Sequence, residues 1–131
     1  MRLLLDTHTF LWHVDGNPRM IATATALLTD PANELILSVV SVWEIAIKVN
    51  IGKLTLSAAF PVYVADAVNG YRLTVLPLTQ SDCDLYSTLP FPMDNHRDPF
   101  DRMLITQALR CNLTVVGVDA NFDAYGVTRL W

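Results

Sequence analysis

The sequence predicts an α/β fold in which a mostly parallel β-sheet carries helices on both faces. Three observations lead there. Short apolar runs alternate with segments of helical periodicity, the pattern of βαβ crossovers. The first run, Leu3-Leu4-Leu5, lacks the polar alternation of a half-exposed strand and suits one buried on both sides. Acids follow apolar runs directly, at Asp6 and Asp119, and ligands of open α/β sheets sit beyond such strand ends.

The elements follow in order. Arg2 to Leu5 reads as a strand ending at Asp6-Thr7-His8, and Phe10 to Val14 as a short helical turn stopped by Asp15-Gly16-Asn17-Pro18. Met20, Ile21, Ala24, Leu27 and Leu28 give Arg19 to Thr29 a helical period. Leu35 to Val39 is a second strand. Ser41-Val42-Trp43-Glu44 has capping-box spacing, with Ser41 at the N-cap and Glu44 at N3 of a helix that Gly52 ends. Phe60 to Asn69 is helical, with Pro61 in its first turn and Gly70 after it. Leu73 to Leu76 reads as a strand and Thr79 to Leu89 as a helix, after which Pro90 and Pro92 break the chain. Pro99 marks the start of the next helix and places Asp98 at its N-cap. Leu113 to Val118 forms a strand ending at Asp119, and Val127 to Trp131 adds a last one.

The 131 residues suit one domain, spanning 1–131, and the 52% apolar content excludes disorder. A net charge of −4 argues against a simple basic surface for nucleic acid, yet an acidic site can hold phosphate through a cation. Cys83 and Cys111 form neither a metal motif nor a disulfide framework, as in a reducing cytoplasm. No signal peptide is expected at the N-terminus, and no apolar run reaches the ~20 residues that span a bilayer.

The chemistry concentrates in carboxylates. Asp6, Glu44, Asp98, Asp101 and Asp119 all fall at strand ends or in first turns of helices, so they can converge on one sheet edge. Each has a plain alternative: Asp6 and Asp98 as N-caps, Glu44 in a capping box or paired with Lys48, Asp119 as a turn residue. Gathered together, they would repel unless cations intervened. Mg²⁺ or Mn²⁺ suits oxygen ligands, and such a site suits phosphoester hydrolysis. Arg97 and Arg102 flank the acids, either to hold phosphates or merely to solvate a helix start. His8 and His96 read as supporting or surface groups near the acids. Trp12, Trp43 and Trp131 read as packing residues rather than platforms for bases.

Taken in order, Leu3-Leu4-Leu5-Asp6-Thr7-His8, Ser41 to Lys48, Gly52-Lys53-Leu54, His96 to Ala108 and Val118 to Phe122 resemble a PIN domain. More narrowly, the ordered set resembles the VapC-type toxins of type II toxin–antitoxin pairs. The resemblance implies a three-layer α/β/α sandwich around a central, mostly parallel sheet of about five strands. It also implies an Mg²⁺- or Mn²⁺-dependent endoribonuclease, a homodimer, and neutralisation by a cognate VapB-like antitoxin. By position, Asp6, Glu44, Asp101 and Asp119 match the acidic site. Asp6, Asp101 and Asp119 would be metal ligands, and Glu44 would hold or orient the metal and its waters. Asp101 stands seven residues before Ala108, as the family's third acid does, whereas Asp98 better fits an N-cap or a water-mediated role. Thr7 resembles the hydroxyl that often follows the first acid; Arg97, Arg102 and Lys48 are candidates to support substrate. One departure is Gly117, where many relatives carry Thr or Ser, and the lost hydroxyl is expected to loosen Asp119. The competing readings are a non-catalytic PIN-fold module binding RNA or protein, and a Mg²⁺-dependent phosphatase using Asp6. The second would need an acid where His8 stands.

Overall fold

The computed structural model describes residues 1–131. Five strands, β1 (Arg2–Leu5), β2 (Glu34–Ser38), β3 (Thr74–Leu76), β4 (Thr114–Val116) and β5 (Arg129–Leu130), form one sheet in the order β3-β2-β1-β4-β5. Every pairing is parallel, with Leu4 opposite Ile36 on one side and Val115 on the other. Side chains alternate across the sheet. Leu3, Leu5, Leu35 and Leu37 enter one apolar core, and Leu4, Ile36 and Val115 enter the other.

Six α-helices cover these faces: α1 (Thr7–Asp15), α2 (Ala22–Thr29), α3 (Val39–Asn50), α4 (Phe60–Gly70), α5 (Gln80–Tyr86) and α6 (Pro99–Cys111). The first core takes Phe10 and Leu11 from α1, Ala24 and Leu28 from α2, and Tyr63 and Ala67 from α4. The second takes Leu104, Ile105 and Ala108 from α6, with Phe122 and Tyr125 from a 3-10 helix over Ala120–Tyr125. This is the three-layer α/β/α arrangement. No helix is long and apolar enough to cross a membrane.

Local rules explain most starts and stops, and several differ from the sequence reading. The expected turn at Phe10 to Val14 is a full helix, begun by Asp6 as N-cap and closed by Gly16, whose φ of 62° suits glycine. Ser41 is not an N-cap. β2 passes into α3 without a loop, so Ser38 takes that position, its Oγ accepting the Val40 N–H at 3.1 Å. The capping box assigned to Ser41 and Glu44 is therefore absent; one does form between Thr79 and Asp82 at the start of α5. β4 stops at Val116, short of the expected Val118, and the 3-10 helix was not anticipated.

Asp82 is fully buried and ties α5 to α6. Its Oδ2 accepts from the Thr79 N–H at 2.9 Å and Gln107 Nε2 at 3.1 Å, while Oδ1 pairs with Arg110 Nε. Burial pushes its carboxyl up, but Arg110, the Thr79 N–H and Gln107 outweigh that and hold it below its ordinary value. The resulting stability is present above about pH 4 and is lost as acid titrates the depressed native carboxyl. Asp82→Ala is expected to cost about 2–4 kcal/mol near neutral pH in urea denaturation. That deficit should shrink as the pH falls below about 4; a constant deficit would show that Asp82 acts through packing alone.

Candidate metal centre

The carboxylates converge beyond the carboxyl ends of β1 and β4. A cavity of about 150 Å³ is lined by Asp6, Thr7, His8, Glu44, Lys48, Asp98, Asp101, Val118 and Asp119. Five acids face one ammonium there, and Val118 is the one apolar residue among them.

Three of the acids are helix caps. Asp6 Oδ1 accepts the Thr9 N–H at 2.7 Å; Asp98 Oδ1 accepts from Phe100 and Asp101 at 2.8 and 3.0 Å; Asp119 Oδ1 accepts from Asn121 at 2.9 Å. Each cap fixes one oxygen, and the positive ends of α1, α6 and the 3-10 helix favour the clustered negative charge. The capping and ligand readings of Asp6 and Asp119 are thus compatible, because a carboxylate has a second oxygen to offer.

Burial and neighbours do the rest. Asp6, only 6% exposed, has its carboxyl raised by desolvation, with Asp119 adding to the rise. Asp101 is pushed up to about 6, first by desolvation and then by the negative charges of Asp98 and Glu44. The donors these carboxyls have, the Thr9 N–H at Asp6 and His96 at Asp101, do not offset that burial and repulsion. A hard cation would.

Glu44, 8% exposed, reaches the cavity from α3. Thr7 Oγ1 donates to Glu44 Oε1 at 2.7 Å, Ser41 Oγ lies 3.0 Å from that hydroxyl, and Lys48 Nζ sits 3.2 Å from Glu44 Oε2. Ser41 therefore braces Thr7, which braces Glu44, a role the capping-box pattern concealed.

The two arginines part company. Arg102, read either as a phosphate holder or as solvating the helix start, is 2% exposed and does not line the cavity, so neither reading holds. Its Nη2 donates to Leu89 O at 3.0 Å, its Nη1 to Pro90 O at 2.9 Å and Tyr125 Oη at 3.2 Å, and its guanidinium lies 3.7 Å from the Phe91 ring centre. It is a structural cation, engaged with the Leu89 to Phe91 segment and with Tyr125. Arg97 is exposed, with Nε donating to Asp94 O at 3.0 Å, and is not part of the cavity wall. Trp43, read as core or interface packing, is 59% exposed beside Glu44 and so outside the core, edge-on to Phe100 at 5.2 Å. His96 is buried, with Nε2 3.4 Å from Asp101 Oδ2, so its surface reading is excluded.

Gly117 also bears on Asp6. A Cβ there would lie 2.8 Å from Asp6 Cγ and would overlap Oδ2. The glycine leaves the notch that the Asp6 carboxylate occupies. Gly117→Ser is expected to displace Asp6 and weaken Mn²⁺ binding about tenfold or more, by calorimetric titration. Unchanged affinity would mean that Asp6 can bind from another rotamer.

The fold and site together define a class: an α/β protein with a carboxylate-lined cavity at the carboxyl edge of a parallel sheet. The PIN domain model matches residues 3–127, and the chain belongs to that family. Among solved structures, VapBC2 from Rickettsia felis, bound to a DNA fragment from its promoter, has TM-score 0.72 and 14% identity, covering 99% of this chain and 98% of that one. VapBC-1 from nontypeable Haemophilus influenzae has TM-score 0.69 and 16% identity, covering 99% and 97%. VapBC-5 from Mycobacterium tuberculosis, a member of the VapBC family of toxin–antitoxin systems, has TM-score 0.61 and 17% identity, covering 98% of each chain. These likenesses are of fold. No curated protein sequence matches the chain.

Proposed function

We propose that this PIN domain is a VapC-type toxin, an endoribonuclease that hydrolyses RNA phosphodiester bonds with Mg²⁺, or Mn²⁺ in its place. The observation that carries the reading is the convergence of Asp6, Glu44, Asp101 and Asp119 on one small cavity. The donor set fits the ion: all four are carboxylates, two with carboxyls raised by burial and then by acidic neighbours. Asp6, Asp101 and Asp119 would hold it, and Glu44 would orient it and its waters. When bound, the ion supplies positive charge for the phosphate and acidifies water for attack.

The chain's own residues supply the rest. The caps on α1 and the 3-10 helix keep Asp6 and Asp119 from rotating freely, so their geometry is set before substrate arrives. Thr7 and Lys48 keep Glu44 turned into the cavity, and Lys48 is the one cationic side chain there to meet a phosphate oxygen. Asp98 sets the start of α6 and thereby aims Asp101.

The partner follows from the neighbours, which are toxin–antitoxin complexes; this chain would form a homodimer neutralised by a VapB-like antitoxin in the cytoplasm. Antitoxin-free protein incubated with RNA and Mg²⁺ is expected to cut it, to stop in EDTA, and to resume with Mn²⁺. Cleavage that persists in EDTA, or none with either ion, would remove the proposal.

A further inference from the structure

We propose that His96 is a positioning residue, holding Asp101 through its Nε2–H with a tautomer set by a hydrogen-bond chain that begins at buried Arg102. The inference rests on reading Asp101 as a metal ligand. It adds a group that the four-acid motif does not contain.

The chain has a direction because its first member can only donate. A guanidinium carries N–H groups and no acceptor, and it stays charged in proteins. Arg102 Nη1 lies 3.2 Å from Tyr125 Oη, so the phenol oxygen accepts there. The single phenol proton then has two candidate acceptors: His96 Nδ1 at 2.7 Å and the His96 carbonyl at 3.5 Å. The shorter contact takes it. With Nδ1 accepting, a neutral imidazole carries its proton on Nε2, and Nε2 faces Asp101 Oδ2 at 3.4 Å. The opposite tautomer would aim a lone pair at a carboxylate.

Packing holds the ring in this plane. His96 is 5% exposed, with the Tyr125 ring 5.4 Å away and the Phe122 ring 6.3 Å away. Ligand atoms of His96, Asp101 and Asp119 lie within 4.8 Å of one another, a spacing that by distance alone suits a three-ligand metal site. The donor chain assigns His96 differently. It offers the cluster a proton and steadies one oxygen of Asp101, leaving the other for the cation. One stretch, His96 to Arg102, thus holds the anchor, the donor and the acid, and Tyr125 joins them from the 3-10 helix.

The test reads the ring nitrogens and the metal, not cleavage. Long-range ¹H–¹⁵N correlation of the metal-free protein is expected to show His96 protonated at Nε2 and not at Nδ1. Titration with Mn²⁺ alone should show affinity about 10–100-fold weaker in His96→Ala. A smaller loss is expected in Tyr125→Phe, which keeps the ring and its packing, with wild-type circular dichroism. Pulsed EPR of bound Mn²⁺ should show no coordinated histidine nitrogen. A neutral Nδ1–H tautomer, a nitrogen ligand from His96, or unchanged Mn²⁺ affinity in both variants would overturn the proposal. Failure of the wild-type protein to bind Mn²⁺ would instead overturn the cation reading of the site and, with it, the purpose assigned to His96.

Discussion

Asp101→Asn is expected to stabilise the metal-free protein while abolishing RNA cleavage. Its carboxyl is raised to about 6 in the folded state by desolvation and by Asp98 and Glu44. A carboxyl raised above its unfolded value binds more protons folded than unfolded, so stability falls as pH rises from about 4 to about 6 and stays low above that. Asparagine removes the charge and keeps an oxygen for the His96 contact. The expected gain near neutral pH is about 1–3 kcal/mol, a rise of several degrees in melting temperature for a domain of this size.

The opposite holds once metal is present. Millimolar Mg²⁺ should raise the wild-type melting temperature, because an ion that binds only the folded state stabilises it by mass action. In Asp101→Asn that response should be largely lost, and cleavage should drop by about a hundredfold or more. Asp98→Asn is the control. Asn caps a helix about as well as Asp, so fold, metal response and most activity should survive. Equal losses in the two variants would refute the division of labour between the cap and the ligand.

Arg102→Ala is expected to destabilise the fold strongly, by about 3–5 kcal/mol in urea denaturation. It would empty a buried space and strip donors from the Leu89 and Pro90 carbonyls and from Tyr125. Arg97→Ala, on an exposed side chain, should fall within about 0.5 kcal/mol of wild type. A folded, stable Arg102→Ala protein that had lost RNA binding would restore the phosphate role predicted from sequence.

The difference between these two arginines shows what the sequence made legible. The strands and the start of α6 were readable because the signals are local: an unbroken apolar run, a proline at the first helical position, an acid just before it. Asp6, Asp101 and Asp119 were readable because each occupies a strand end or a helix start, and topology brings such places together; Glu44 lies a turn deeper, in the second turn of α3, because that helix starts at Val39. Arg102 was not, since nothing within the His96 to Arg102 stretch reveals that Leu89, Pro90 and Phe91 fold back over its guanidinium. The same applies to His96 and Tyr125, which meet across 29 residues of chain.

One misreading and one omission had nearer causes. Ser38 and Ser41 stand three apart, and the acid at Glu44 drew the capping box to the wrong serine. The choice turned on β2 entering α3 with no intervening loop, a tertiary fact. Gly117 read as the loss of a hydroxyl, because a one-dimensional pattern shows what side chain is missing and not which neighbour fills its space. Asp6, 111 residues away, fills it.

The central claim is that the carboxylates form one cation site. The most direct measurement is anomalous diffraction from crystals of this protein soaked in Mn²⁺. A Mn²⁺ peak ligated by Asp6, Asp101 and Asp119, with Glu44 close by and no nitrogen ligand, is expected. No peak in that cavity at saturating Mn²⁺, or one held elsewhere, would contradict it.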